Sequence, residues 1–389
     1  MNYASRMDLL GTESAFDVLV KARALEAQGK DVIHLEIGEP DFDTPPHIIE
    51  AGQKALGDGY TQYGPPAGLP ELREAIASDV ATSRNIDLHP NQVVVCPGAK
   101  PIMFFTILAL AEEGTEVIYP NPGFPIYESV IKFSGATPVP APLIEEKDFT
   151  LDVAQLADLV TDKTRLIIIN SPQNPTGGIV PAEDLEVIAE VAVKHNIPML
   201  ADEIYSRMIY EGEFASISAF DGMADKLIIL DGFSKTYAMT GWRMGYGVMP
   251  EETAQRVARL MVNSNSCTAA FTQMAGIAAL TGPQDAPAAM MEEFRKRRDV
   301  FHAGLNAIDG ITCRLPGGAF YLFPNITGLG RDTQEVADFL LEEGGVASLS
   351  GTGFGQYGEG YLRFSYANSL ENIEEAIRRI EGCVAKLRS

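Results

Sequence analysis

Cysteine and histidine are scarce in this chain. Four Cys (Cys96, Cys267, Cys313 and Cys383) occur in 389 residues, no two of them at Cys-x-x-Cys spacing. That excludes a disulfide-stapled scaffold and a paired-thiolate metal site, and it reads as four reduced thiols in a cytoplasmic protein. The five His form no His-Glu-x-x-His pair, so no metal is expected. Also missing is any run of about 18 consecutive apolar residues, the length a membrane-crossing helix requires. Residues 1–10 hold no basic region followed by an apolar stretch, so they are not read as a secretory signal. Positive charge is in the minority: 30 Lys and Arg stand against 53 Asp and Glu, a net charge of −23. A surface of that sign repels phosphate backbones and excludes nucleic acid as an expected partner, while a local pocket can still bind an anion. No Gly-x-x-x-x-Gly-Lys-Ser/Thr loop, internal repeat or low-complexity segment occurs.

What is present is a long chain rich in apolar residues. Hydrophobic residues make up 46% of it, and its length exceeds what one simple core usually holds, so two subdomains are expected. The 36 Gly and 24 Pro are spread along the sequence, which fits many short connections. Short β-branched runs alternate with longer amphipathic ones. Residues 93–95, 116–119, 166–169, 198–201 and 227–230 read as strands; 102–111 and 184–195 read as helices. Runs that are apolar at every residue, with helices between them, predict a mainly parallel central sheet covered by helices on both faces. The fold class is therefore α/β for a large domain, 46–280. The later residues leave that pattern. A charged helix near 290–305, an apolar segment at 318–323, a helix near 334–343, a strand at 360–366 and a final helix after Asn372 predict a smaller α+β domain over 281–389. The N-terminal stretch 1–45, with a helix near 15–28 and a strand at 32–35, is expected to pack with it.

In parallel α/β sheets, ligands bind beyond the carboxyl ends of the strands. Four polar clusters follow predicted strands here: Pro97-Gly98-Ala99-Lys100, the segment from Asn170 through Asn174 to Gly177, Asp202-Glu203-Ile204-Tyr205, and the segment from Asp231 to Lys235. All four should face one crevice. Gly98, Ala99 and Lys100 precede Pro101 and an apolar helix. Such a helix start can hold a phosphate on its free N–H groups, and it equally suits an ordinary tight turn. A carboxylate at Asp202, after an apolar strand, wants a cation such as a pyridinium nitrogen, or else caps a helix. Lys235 lies just past a buried strand. A lysine near apolar walls and a second cation has a lowered pKa and can form a Schiff base; the alternative is a solvated surface lysine. Arg243 weighs for the first reading, because a guanidinium flanked by Trp242 and Gly241 suits a dianionic phosphate, with a structural salt bridge as its alternative. Gly353-Phe-Gly355-Gln-Tyr-Gly358 matches Gly-x-Gly-x-x-Gly but precedes a predicted strand instead of a helix, so it is not a dinucleotide fingerprint.

Further segments extend the pattern: Leu35-Glu-Ile-Gly-Glu-Pro-Asp-Phe42, Tyr63-Gly-Pro-Pro-Ala-Gly-Leu-Pro-Glu-Leu-Arg73, Asn121-Pro-Gly-Phe124-Pro-Ile-Tyr127, Ser234-Lys-Thr-Tyr-Ala-Met-Thr-Gly-Trp-Arg-Met-Gly-Tyr246 and Leu362-Arg-Phe-Ser-Tyr-Ala367. In order, and over nearly the whole chain, this set resembles the class I/II aminotransferases of fold type I. The resemblance implies pyridoxal 5'-phosphate as cofactor, with Lys235 as its Schiff-base lysine and proton shuttle. It implies Asp202 against the pyridinium nitrogen, Tyr205 and Asn174 at the phenolic oxygen, and Phe124 stacked on the ring. Arg243, with the backbone N–H groups of the Gly98-Ala99-Lys100 turn, would hold the phosphate. Arg363, Gly38 and Asn174 would take the substrate, Arg363 binding its α-carboxylate. Tyr63 would reach the phosphate of a neighbouring subunit, which implies a homodimer. Two positions depart from the family pattern: Phe124, where Trp or Tyr is frequent, and Gly232, where many relatives place a phosphate-binding Ser. The activity implied is ping-pong transfer of an amino group between an L-amino acid and a 2-oxo acid, with 2-oxoglutarate as the expected acceptor. A β-eliminating lyase of the same fold and a non-catalytic ligand sensor are the rival expectations. No second arginine for a dicarboxylate and no aromatic slot is legible, so the donor stays open.

Overall fold

The apolar runs become the middle of an eight-stranded sheet in a computed structural model that describes residues 1–388. Across the sheet lie Val93–Cys96, Gly245–Val248, Leu227–Gly232, Met199–Asp202, Thr164–Asn170, Glu116–Asn121, Thr137–Ile144 and Thr150–Leu151. Gly245–Val248 and Thr150–Leu151 run against the other six, which all point the same way. The expected α/β class with a mainly parallel sheet is therefore what the chain adopts.

Alternation explains why these strands are apolar at every residue. Val93, Val95, Ile167, Ile169, Met199, Ala201, Leu227 and Ile229 point into one core, with Leu72 and Ile76 of helix Pro70–Arg84 and Leu185 and Ile188 of helix Ala182–His195. Val94, Cys96, Leu166, Ile168, Leu200, Ile228 and Leu230 point into the other. There they meet Ile102 and Met103 of helix Lys100–Leu110, Val130 of helix Ile126–Phe133, and Val257 and Met261 of helix Glu251–Ser264. A period of two on a sheet buried on both sides needs an apolar residue at every position. Each fully buried Val, Leu or Ile contributes about 1.5–3 kcal/mol relative to leaving it exposed.

Three strands of this sheet were not anticipated: short Thr150–Leu151 and two longer ones. Thr137–Ile144 carries Pro138, Pro140 and Pro142, and proline argues against a strand. The strand forms because the three prolines sit at alternate positions. Thr137 donates its N–H to Thr115 O on the side of Glu116–Asn121 (2.8 Å), so the alternate prolines face the side that has no neighbour before Leu143. Gly245–Val248 belongs to a segment read only for its arginine. Its glycines permit close packing, since a Cβ on Gly245 would collide with Ala99 N.

A third core collects Ile33 and Leu35 with Phe294, Phe301, Tyr321, Leu322, Phe364, Ile373 and Ile380. Tyr205, Met208 and Tyr210 join it from the segment after strand Met199–Asp202. Here the elements are shorter or longer than expected. The strand at 32–35 is only Ile33–His34, paired in parallel with Val346–Ala347, and 318–323 contributes only Tyr321–Leu322. The charged helix runs Asp285–Asn306, and the last helix starts early, at Leu370, where Ser369 Oγ accepts from Asn372 N at 3.2 Å. Gly351–Phe354 and Gln356–Gly358 form 3-10 turns that lead to strand Leu362–Ser365, so the rejected glycine motif opens no α-helix. The four Cys are free thiols. No helix among the described residues is long and apolar enough to cross a membrane.

Beneath the carboxyl edge of the sheet lies a buried ion cluster. Arg84, at the end of helix Pro70–Arg84, donates from Nη2 to Asp231 Oδ2 (2.8 Å) and from Nε to Glu203 Oε2 (3.1 Å), with side-chain exposures of 2%, 6% and 4%. Ser206 Oγ donates to Asp231 (3.1 Å), and Ser216 Oγ donates to Glu203 (2.5 Å). Removing the guanidinium leaves two buried carboxylates without their cation, which costs about 3–5 kcal/mol. Arg84→Met is therefore expected to lower the denaturant midpoint of unfolding by a corresponding amount, read by circular dichroism. A midpoint within error of the parent protein would show that the cluster carries no stability.

Candidate active site

Strands Val93–Cys96, Thr164–Asn170, Met199–Asp202 and Leu227–Gly232 end at the same edge, and the four polar clusters follow them to a single cavity of about 470 Å³. Gly38, Ala99, Lys100, Phe124, Asn174, Asp202, Tyr205, Lys235, Arg243 and Arg363 all line it. Residues from the N-terminal 45, from the sheet and from the C-terminal third are thus brought together. Two residues named from the sequence are not in the lining. Gly98 lies just behind it, and Tyr63 is 91% exposed on the loop between helices Pro46–Gly57 and Pro70–Arg84. Gly232 is buried between Gly245 and Ile204, where a Cβ would be crowded.

Asp202 ends its strand buried. Its Oδ2 accepts from Tyr127 OH at 2.6 Å and its Oδ1 from Ile204 N at 3.3 Å. No helix directly follows Asp202, so the contact with Ile204 N–H closes a turn and is not the helix cap that was the alternative from sequence. No Lys or Arg of the described residues pairs with this carboxylate. Burial raises its pKa to about 6, with Asp231 and Glu203 adding to the rise, while Tyr127 and the Ile204 N–H pull it down. A buried carboxylate without a cation fits a protonated ring nitrogen, which would hold it ionised.

Lys235 Nζ points into the cavity and donates to Gly38 O at 2.5 Å. Burial lowers its pKa to about 8; Arg363 and Lys100 push it the same way, against Glu39 and Glu13. At pH 7 about a tenth of the amine is then unprotonated, far more than for a solvated lysine. Arg363 lies on strand Leu362–Ser365, buried, with its guanidinium 4.5 Å from the Tyr321 ring centroid. It donates from Nη1 to Asn174 Oδ1 (3.2 Å) and from Nη2 to Glu36 O, and its Nε has no partner. Burial lowers its pKa as well. A buried guanidinium that touches no carboxylate fits an anionic group of a ligand.

The opposite end of the cavity is a cradle for an anion. Gly98 has φ +82°, and a Cβ there would collide with the Arg243 guanidinium. Helix Lys100–Leu110 starts at this point with Pro101 in its first turn and no side-chain cap, so its first N–H groups are free for a phosphate. Arg243 has φ +51° and donates from Nη1 to Thr240 O at 2.9 Å; the salt bridge that was its alternative role is absent among the described residues. Cation at one end, carboxylate and phenol ring-side groups in the middle and Arg243 at the other end fit pyridoxal 5'-phosphate and an amino acid together.

Sequence reasoning missed Tyr127, which is fully buried behind the lining and bonded to Asp202, and the lining residues Tyr321 and Glu13. Tyr127 lies one helical turn beyond Phe124, with their rings 5.7 Å apart, so it supports from behind the wall that Phe124 lines. Tyr321 OH meets Tyr205 OH at 2.7 Å, but its segment reads from sequence only as an apolar strand. Glu13 lines the cavity too, and nothing in its local sequence marks it.

The sequence profile of the family "Aminotransferase class I and II" matches residues 30–380. An aspartate aminotransferase of Pyrococcus abyssi is 40% identical, with 98% of each chain covered. An aromatic-amino-acid aminotransferase of Thermococcus litoralis is also 40% identical, over 91% of this chain and 92% of that protein. The solved structure of an aspartate aminotransferase from Rhizobium meliloti superposes with a TM-score of 0.95 at 34% identity, covering 99% of both chains. The chain therefore belongs to the class I and II aminotransferases, enzymes that use pyridoxal 5'-phosphate to move amino groups between amino acids and 2-oxo acids.

Proposed function

We propose that this protein transfers the amino group of an L-amino acid to 2-oxoglutarate by a ping-pong mechanism, as a cytoplasmic homodimer. The observation that carries this reading is a pair of buried charges short of their counter-ions, Asp202 and Arg363, lining one cavity with Lys235. Bound pyridoxal 5'-phosphate supplies an aldehyde that condenses with amines and a ring that accepts electrons. The chain's own residues do the rest. Asp202, whose ionised form accepts from Tyr127 OH and Ile204 N–H, would pair with the ring nitrogen. Tyr205 and Asn174 would donate to the ring oxygen, Phe124 would cover the ring face, and Arg243 with the N–H groups of Ala99 and Lys100 would hold the phosphate. Arg363 binds the α-carboxylate beside Gly38 and so orients the Cα–H towards Lys235. Lys235 Nζ, as a free amine, takes the proton from the substrate Cα and holds it as an ammonium. Donor and acceptor use the same Arg363 in turn, so the first product leaves before the second substrate binds. The 46–280 unit thus holds the cofactor, and the unit of 1–45 with 281–389 supplies the carboxylate site. The exposed Tyr63 ring, with Leu56 and Tyr60 exposed nearby, supports an interface between two copies.

Two variants test these roles. Borohydride reduction of the wild-type holoprotein should leave the cofactor's mass on the peptide that contains Lys235, and Lys235→Ala should carry it on none and lose about 1,000-fold or more of the half-reaction rate. Label on another lysine would overturn the assignment. Tyr127→Phe deletes a donor to the ionised form of Asp202, so the carboxyl pKa rises. The half-reaction should slow about tenfold, the scale of one hydrogen bond to a charged group, and its acid limb should move to higher pH in stopped-flow absorbance. An unmoved limb would remove Tyr127 from the mechanism.

A further inference from the structure

Four cations line the cavity: Lys100, Lys235, Arg243 and Arg363. The proposed chemistry uses three of these side chains, and the Lys100 ammonium is left over. It stands 5.4 Å from the Phe124 ring centroid and pairs with the Glu13 carboxylate. Glu13 occupies the N-cap position of helix Ser14–Glu26, but its side chain caps no backbone N–H of that helix. It turns into the cavity instead. Its charge is felt there, since it counts among the groups that act on Lys235, Tyr321 and Arg363. One turn into the same helix, Phe16 also lines the cavity with its ring exposed.

These contacts set two different situations for a bound donor. A side chain with its own carboxylate meets Lys100 already paired, and it meets the like charge of Glu13. It must displace one anion by another, which cancels most of the gain. An uncharged side chain leaves the Lys100–Glu13 pair in place and finds the Phe16 ring. Resting on the aminotransferase reading above, we infer that Glu13 is a specificity-determining residue, a built-in counter-ion to Lys100 that biases the donor site towards amino acids with aromatic or aliphatic side chains over aspartate and glutamate.

The test uses the holoenzyme with L-glutamate and L-phenylalanine as donors, following cofactor absorbance in single turnovers. Glu13→Gln and Glu13→Ser both remove the charge, and the second also removes bulk. Because Glu13 caps no N–H, both variants keep the helix start. The ratio of kcat/KM for glutamate to that for phenylalanine should rise about fivefold in both, the scale of a partly exposed ion pair. The added substitution Lys100→Met should abolish the rise. Calorimetry gives a second readout independent of turnover: succinate should bind the Glu13 variants more tightly than the parent, and butyrate should not. A ratio that changes less than twofold in both Glu13 variants, or a rise that survives Lys100→Met, overturns the inference while donors still convert the cofactor. If no donor converts it in the parent enzyme, the aminotransferase reading itself fails.

Discussion

The constraint on which this site depends is the burial of a carboxylate that has no cation of its own. Asp202 is placed by a central strand, flanked by apolar side chains, and given only a phenol and one backbone N–H as partners. Left so, it drifts towards its neutral form, as its raised pKa records. A cationic ring nitrogen reverses that drift. Protein and cofactor are therefore electrostatic complements, each stabilising the charged form of the other. The same logic governs Arg363 and the carboxylate of the amino acid. The cavity is built as a set of half-pairs, and ligands supply the other halves.

Holding such half-pairs apart needs a stiff frame. The residues after Asp202 and before Lys235 are tied from below by Arg84, through Glu203 and Asp231. Asp231 Oδ1 also accepts from Gly232 N (2.7 Å), three residues from the catalytic amine. Two adjacent strands thus share one guanidinium, which fixes the height of Asp202 relative to Lys235. At the phosphate end the fit is steric: Gly98 and Gly245 each leave room that any side chain would fill.

Much of this was legible before any coordinates. Apolar runs with short polar tails pointed to strand ends, and the strand ends share an edge by the geometry of parallel sheets. Lys235, Asp202 and the segment that holds Asn174 follow from that rule, because local sequence fixes where each strand stops, and Arg243 was read from its Trp and Gly neighbours close after Lys235. Arg363 and Gly38 came through resemblance, since nothing near them in sequence says which cavity they face. Glu13 and Tyr321 stayed hidden for the same reason: their partners lie 87 and 116 residues away. Tyr127 was within reach, one helical turn from a ring-stacking residue, but its partner Asp202 is 75 residues distant. Strand Thr137–Ile144 was missed because composition alone penalises proline, and the penalty vanishes when the missing N–H groups face no neighbour.

That proline strand has an effect on the molecule's behaviour in crowded solution. A sheet margin normally offers a ladder of donors on which a second polypeptide can zip. Here every outward position from 138 to 142 that would donate is an imino acid, so the margin accepts but cannot give. The sheet in effect terminates itself, and self-association is steered away from that rim.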